Sequence, residues 1–143
     1  MTAIQSPLPD DDRQATGGAL QGALVDLLDL SLIGKQTHWN IVGPRFRSIH
    51  FQLDDVVSTA RSYADTVAER AAAIGVPPDG RAATIARTTE HPGIQDGWIK
   101  DGDVVAALAQ VLRGAIARMR ERIDLTDKSD LVTQDILIGL TAQ

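Results

Sequence analysis

Apolar residues recur at helical spacing in four stretches of the chain, and glycine and proline mark most of the breaks between them. The first stripe starts near Ala15 and runs through Leu20, Ala23, Leu24, Leu27, Leu28, Ser31 and Leu32, leaving Asp26 and Asp29 off it. Gly43 and Pro44 stop this helix. The second stripe runs from about Phe46 to Ile74 through Ile49, Leu53, Val57, Ala60, Ala64, Val67 and Ala71. It predicts a helix roughly 45 Å long at 1.5 Å per residue. Gly75 is placed to close it, and Pro77 and Pro78 forbid its continuation.

Residues 76–100 form a long crossover with one short helical candidate at 81–87. Asp101 or Asp103 then caps a third helix carrying Val104, Leu108, Val111, Leu112, Ala115, Met119 and Ile123. The stretch DLTDKSD reads as a turn, and Ser129 or Asp130 opens a fourth helix through Leu131, Ile136, Leu137 and Leu140. No stretch reads as a strand. Residues 1–14, with Pro7, Pro9 and the run Asp10, Asp11, Asp12, read as a disordered tail. Residues 15–143 are therefore expected to be one all-α domain, a four-helix bundle whose long crossover holds a short helix. The fourth helix reaches Gln143 without a cap, so the C-terminal end of the domain is expected to be truncated.

Composition narrows the chemistry. With 143 residues the chain has the length of one domain, and with 3% aromatic residues its core must come from Ala, Leu, Ile and Val. The absence of cysteine excludes disulfides, thiolate metal centres and a thiol nucleophile. No apolar run approaches the ~18 residues of a membrane span, and the N-terminus lacks the features of a signal peptide. A cytoplasmic or nucleoid-associated protein without a membrane partner is expected. A net charge of −5 argues against a dominant nucleic-acid surface. Sixteen of the nineteen acidic residues are Asp, the poorer helix former, which points to caps, loops and ligand positions or to simple compositional drift.

Two of the three histidines are placed informatively. His38 lies five residues before Gly43 and His50 six residues after Pro44, so an antiparallel hairpin brings them to similar heights. Asp54 follows His50 by four and shares its face. Two His and a carboxylate suit Fe(II), and also zinc. Further along the same helix Asp65 and Glu69 form a second pair on nearly the same face. The two pairs are ~16 Å apart along the axis, beyond the reach of one ion. Two copies of the helix packed antiparallel near Thr59 and Ala60 bring His50 and Asp54 of one opposite Asp65 and Glu69 of the other. Each pair alone is equally compatible with a solvated helix face, Arg61 can neutralise its acids, and His91 reads as surface. No Glu is followed three residues later by His, so the di-iron motif of a single bundle is not expected.

The run His38-Trp39-Asn40-Ile41-Val42-Gly43-Pro44, then Phe46, His50, Asp54, Asp65 and Ala68-Glu69-Arg70, resembles the signature of the Dps mini-ferritins, DNA-binding proteins from starved cells. The resemblance extends from about residue 20 to the end, through the segment beginning at Asp130. It implies a ferritin-like bundle assembled from two-fold dimers into a hollow dodecamer. It also implies a ferroxidase that oxidises its substrate iron, Fe(II), preferably with hydrogen peroxide, and stores ferric iron against oxidative stress. His38, His50 and Asp54 of one subunit match the family's ligands, with Asp65 and Glu69 supplied by the two-fold mate. Trp39 matches a tryptophan near that site. The alternative is a DNA-condensing protein for which iron is secondary; the acidic tail, with Arg13 its only basic side chain, makes DNA binding doubtful. Asp127, Asp130 and Asp135 are expected to line an acidic pore for iron.

Overall fold

The computed structural model describes residues 4–143. Helix α1 (Asp10–Asn40) starts ahead of its apolar stripe. Asp10, Asp11 and Asp12 fill the first turn, where carboxylates meet unpaired N–H groups and the positive end of the helix dipole. Arg13 pairs with Asp10 at 3.0 Å. The acidic run is a helix start, so the expected disordered tail is corrected for residues 10–14. Residues 4–9 carry no regular structure, yet Leu8 packs half-buried against the core. Residues 1–3 of that expectation lie outside the described residues.

The chain continues through β1 (Ile41–Val42), α2 (Phe46–Ala73), α3 (Ala82–Thr88), β2 (Ile99–Lys100), α4 (Asp101–Ser129) and α5 (Leu131–Ala142). Helix α2 ends where expected, with Gly75 at φ +78° in the left-handed region that closes helices. The strands correct the expectation of none: they pair in parallel, Ile41 opposite Ile99 and Val42 opposite Lys100. The return of the crossover is thereby stitched to the exit of α1.

Helix α4 also overrides local signals. It runs through the expected turn, and the break shrinks to one extended residue, Asp130 (φ −164°, ψ 103°). The turn-favouring side chains are satisfied inside the helix instead. Buried Thr126 donates to the carbonyls of Arg122 and Ile123, and buried Ser129 accepts from the Thr16 hydroxyl at 2.9 Å. Asp130 then caps α5, accepting from the N–H groups of Val132 and Thr133.

One core runs down the bundle, with Leu20, Val67, Ile74, Val104 and Leu137 fully buried. Helix α1 holds a window apolar enough to cross a membrane, but 67% of that window is buried inside the bundle. Asp26, expected off the stripe, is only 2% exposed, and His91 is buried beside it. Two guanidinium groups explain both: Arg118 and Arg122 reach the Asp26 carboxylate from α4 at 2.9 and 2.7 Å.

Candidate metal centre

Close packing of α1 on α2 creates the site. At Gly34 an added Cβ would stand 2.7 Å from Val57 Cγ2, so the missing side chain lets the two helices approach. One turn further along α1 and two turns back along α2, the facing side chains are His38 and His50. Their rings stack at 3.6 Å between centroids, tilted by 20°. Each ring donates its Nδ1–H to the backbone carbonyl of the other residue, at 2.8 Å from His38 and 2.9 Å from His50. A carbonyl only accepts, so both Nδ1 atoms carry hydrogen, and in the neutral form of each ring the lone pair available to a ligand is that of Nε2. The His38 carbonyl, in the last turn of α1, gains a partner at the same time. Phe46 stacks with His50 at 4.8 Å, and Phe51 meets it edge-on at 5.7 Å.

Asp54 completes this half of the arrangement. Its carboxylate is 3.5 Å from His38 Nδ1 and is ion-paired with Lys35 of α1. The Lys35 hydrogen bond is the main cause that holds the Asp54 carboxyl below the usual range, with burial opposing it. Lys35 holds Oδ1 of Asp54, so a cation recruited by this carboxylate competes with a partner that the sequence reading missed. The signal was present, because Lys35 stands three residues before His38 and shares its face.

Asp65 and Glu69 are exposed on α2, away from the histidines. Asp65 lines an open recess of about 300 Å³ with Arg61, Leu24, Leu28 and Ala68. Among the described residues no three His, Asp or Glu side chains of the single chain are gathered around one point. The structure thus stacks His38 on His50 with Asp54 beside His38, without gathering the three around one point, and leaves Asp65 and Glu69 apart. Trp39 is 65% exposed next to His38.

Two expectations outside this trio are corrected. Asp130 cannot line a pore as an open carboxylate. It is buried, receives Arg70 at 2.6 Å and is bonded by the Thr133 hydroxyl. Burial alone would raise its carboxyl, but the Thr133 and Arg70 hydrogen bonds outweigh this and hold it low. Asp127 and Asp135 do stay exposed. His91 is not a surface residue: its Nε2–H donates to the Asp26 carbonyl at 2.9 Å while Nδ1 accepts from Arg118 at 3.2 Å.

Comparison with known proteins agrees with this architecture. A family model described as a ferritin-like domain matches residues 18–143. A DNA protection during starvation protein of Mycolicibacterium smegmatis is 37% identical over 142 residues, spanning 97% of this chain and 76% of that one. A solved structure of Mycobacterium smegmatis Dps, a tetragonal form, superposes with a TM-score of 0.93 at 35% identity, covering 99% of this chain and 87% of that one. The structure of Dps from Microbacterium arborescens in a high iron form gives 0.91 at 33% identity, covering 98% and 90%.

Proposed function

Since the chain belongs to the ferritin-like family, as one of its Dps proteins, we propose that it is a ferroxidase whose catalytic sites are shared between subunits. Fe(II) is the substrate. His38, His50 and Asp54 bind it from one subunit, and Asp65 and Glu69 from the two-fold mate. The observation that carries this reading is the reciprocal histidine lock, which turns both Nδ1 atoms to carbonyls and leaves each Nε2 for a ligand, with the Asp54 carboxylate next to the His38 ring. Its natural complement is the acid pair that lies on nearly the same face of α2 but too far along it to serve the same ion.

The residues divide the work. The stacked histidines are fixed by their carbonyl partners, so they set geometry without reorganising. The carboxylates offset cationic charge and bridge ions. Two Fe(II) ions give one electron each, and hydrogen peroxide takes both, so the one-electron step that releases hydroxyl radical is bypassed. Exposed Trp39 is positioned to quench stray oxidant. The ferric product is stored in a dodecameric cage built from two-fold dimers, in the cytoplasm, with Asp127 and Asp135 drawing iron in. DNA condensation is the weaker alternative: Asp10, Asp11 and Asp12 start α1, and the chain carries a net charge of −5.

An anaerobic Fe(II) titration of the assembled protein, followed by peroxide and in parallel by oxygen, tests the reading. Saturable binding at a fixed number of sites per subunit and faster oxidation by peroxide are expected. Binding that persists in His50→Ala would overturn the assignment.

A further inference from the structure

The histidine pair depends on a register that neither histidine sets. His38 and His50 flank the turn between α1 and α2, and a shift of that turn by one residue would separate rings that now stack at 3.6 Å. The turn is held from outside the hairpin. Asp101, the first residue of α4, accepts from the Arg45 backbone N–H at 2.9 Å, from Arg45 Nε at 3.1 Å and from its terminal nitrogen at 3.3 Å. The same carboxylate accepts from the Gly102 N–H at 2.7 Å, so it is tied to α4 as well as to the turn.

Gly43 makes room for this carboxylate. Its φ is +130°, and an added Cβ would stand 2.8 Å from Asp101 Cγ. The β1–β2 pair, ending at Val42 and Lys100, brings the start of α4 alongside. From Arg45 the constraint reaches the site in one step, because the next residue is Phe46, whose ring stacks on His50. The His50 ring thus stacks with both Phe46 and His38.

We infer that Asp101 is a positioning residue for metal binding, which fixes the Arg45–Phe46 segment and through it the His50 ring against His38. The inference rests on the proposed role of these histidines as ligands. Asp101 acts by where it holds the turn, not by its charge on the ion. An amide at this position keeps an acceptor for the Arg45 N–H and retains most of the effect.

Co(II) is the probe, followed by its visible absorption bands in the assembled protein. In Asp101→Ala, Co(II) affinity falls about 10-fold or more, as when partners that orient metal ligands are removed, and the bands shift because the histidines no longer present the same geometry. Asp101→Asn restores most of the affinity and the parent spectrum. Ile74→Ala, at the far end of α2, lowers thermal stability but leaves the spectrum unchanged. Equal Co(II) affinity and spectrum in Asp101→Ala and parent overturn the inference, and so does a loss that Ile74→Ala reproduces. Should Asp101→Ala not assemble, Arg45→Ala decides, since its side chain is 60% exposed. A few-fold loss supports the inference and unchanged binding overturns it. Parent protein that binds no Co(II), or binds it equally in His50→Ala, instead removes the ligand assignment itself.

Discussion

Two clusters in this bundle hold the same kinds of groups, histidine, aspartate and a basic side chain, and they are opposites. Around Asp26 every valence is used. Arg118 and Arg122 occupy both carboxylate oxygens, and His91 has one ring nitrogen donating and the other accepting. Its side chain is fully buried. Around Asp54 the valences are half open. Each histidine spends Nδ1 on a carbonyl and keeps Nε2, and the carboxylate is held by one movable lysine. What separates a closed cluster from one with room for a ligand is therefore not its composition. It is whether lone pairs remain after internal hydrogen bonds are made.

The largest effect that sharpens this contrast is loss of iron oxidation. His50→Ala and Asp65→Ala should each remove nearly all ferroxidase activity, while His91→Gln leaves it intact in folded protein. Reassembling the two inactive variants together then tests the division between subunits. In a mixed dimer one site has native His50 and native Asp65, and the other has neither. Activity should return to about a quarter of all sites for random pairing at equal amounts, by counting from two-fold symmetry. Mixed dimers verified by mass spectrometry yet no more active than either parent would sink the shared-site reading.

The second effect runs the other way. Asp26→Ala leaves two guanidinium groups in the bundle without their carboxylate, a loss of about 3–5 kcal/mol for a broken buried pair. Thermal unfolding should show a large fall in Tm, with Fe(II) binding per folded subunit unchanged. Asp54→Ala should barely move the Tm, because its pair with Lys35 is partly exposed. Reversal of these two outcomes would break the comparison.

The half-open cluster was legible in the sequence and the closed one was not, for a physical reason. His38, His50 and Asp54 sit on two consecutive helices joined by a short turn, so spacing from Gly43 and Pro44 fixes their heights. Asp26, His91 and Arg118 come from three distant parts of the chain, and nothing local signals that α4 delivers two arginines to Asp26. The same limit explains the ends of helices. Asp10, Asp11 and Asp12 looked like a polar tail, although acids are favoured at a helix start. The stretch before Asp130 looked like a turn, although tertiary partners such as Thr16 hold Ser129 in the helix. The closing of α2 by Gly75 needed no distant partner and was read correctly.

A third, smaller effect is pH dependence carried by the carboxylates that hold elements together. Hydrogen bonds from Arg45 hold Asp101 below the usual carboxyl range. Asp130 is also held low, since Thr133 and Arg70 outweigh its burial. A depressed folded-state value contributes stability that is present above the unfolded value of about 3.9 and is lost as pH falls through the folded one. Thermal unfolding between pH 6 and pH 3 should therefore show stability falling mainly below about pH 4. Asp130→Asn should start lower and flatten that fall. Identical pH slopes in parent and variant would remove Asp130 from the account.

The smallest effect concerns the one bond that keeps the open cluster neutral. Lys35 holds one oxygen of Asp54, so a cation that recruits this carboxylate competes with the ammonium for its charge. A partly exposed ion pair contributes little. Its removal should tighten binding by a few-fold at most. Lys35→Met keeps the aliphatic stem packed between the helices and deletes the charge, so Fe(II) or Co(II) should bind slightly more tightly and with weaker salt dependence. Raising the salt concentration screens the lysine pair in the parent but has nothing to screen in the variant, so the two affinities should converge as salt increases. Weaker binding in Lys35→Met at every salt concentration would mean that the lysine orders Asp54 for the ion instead of competing with it.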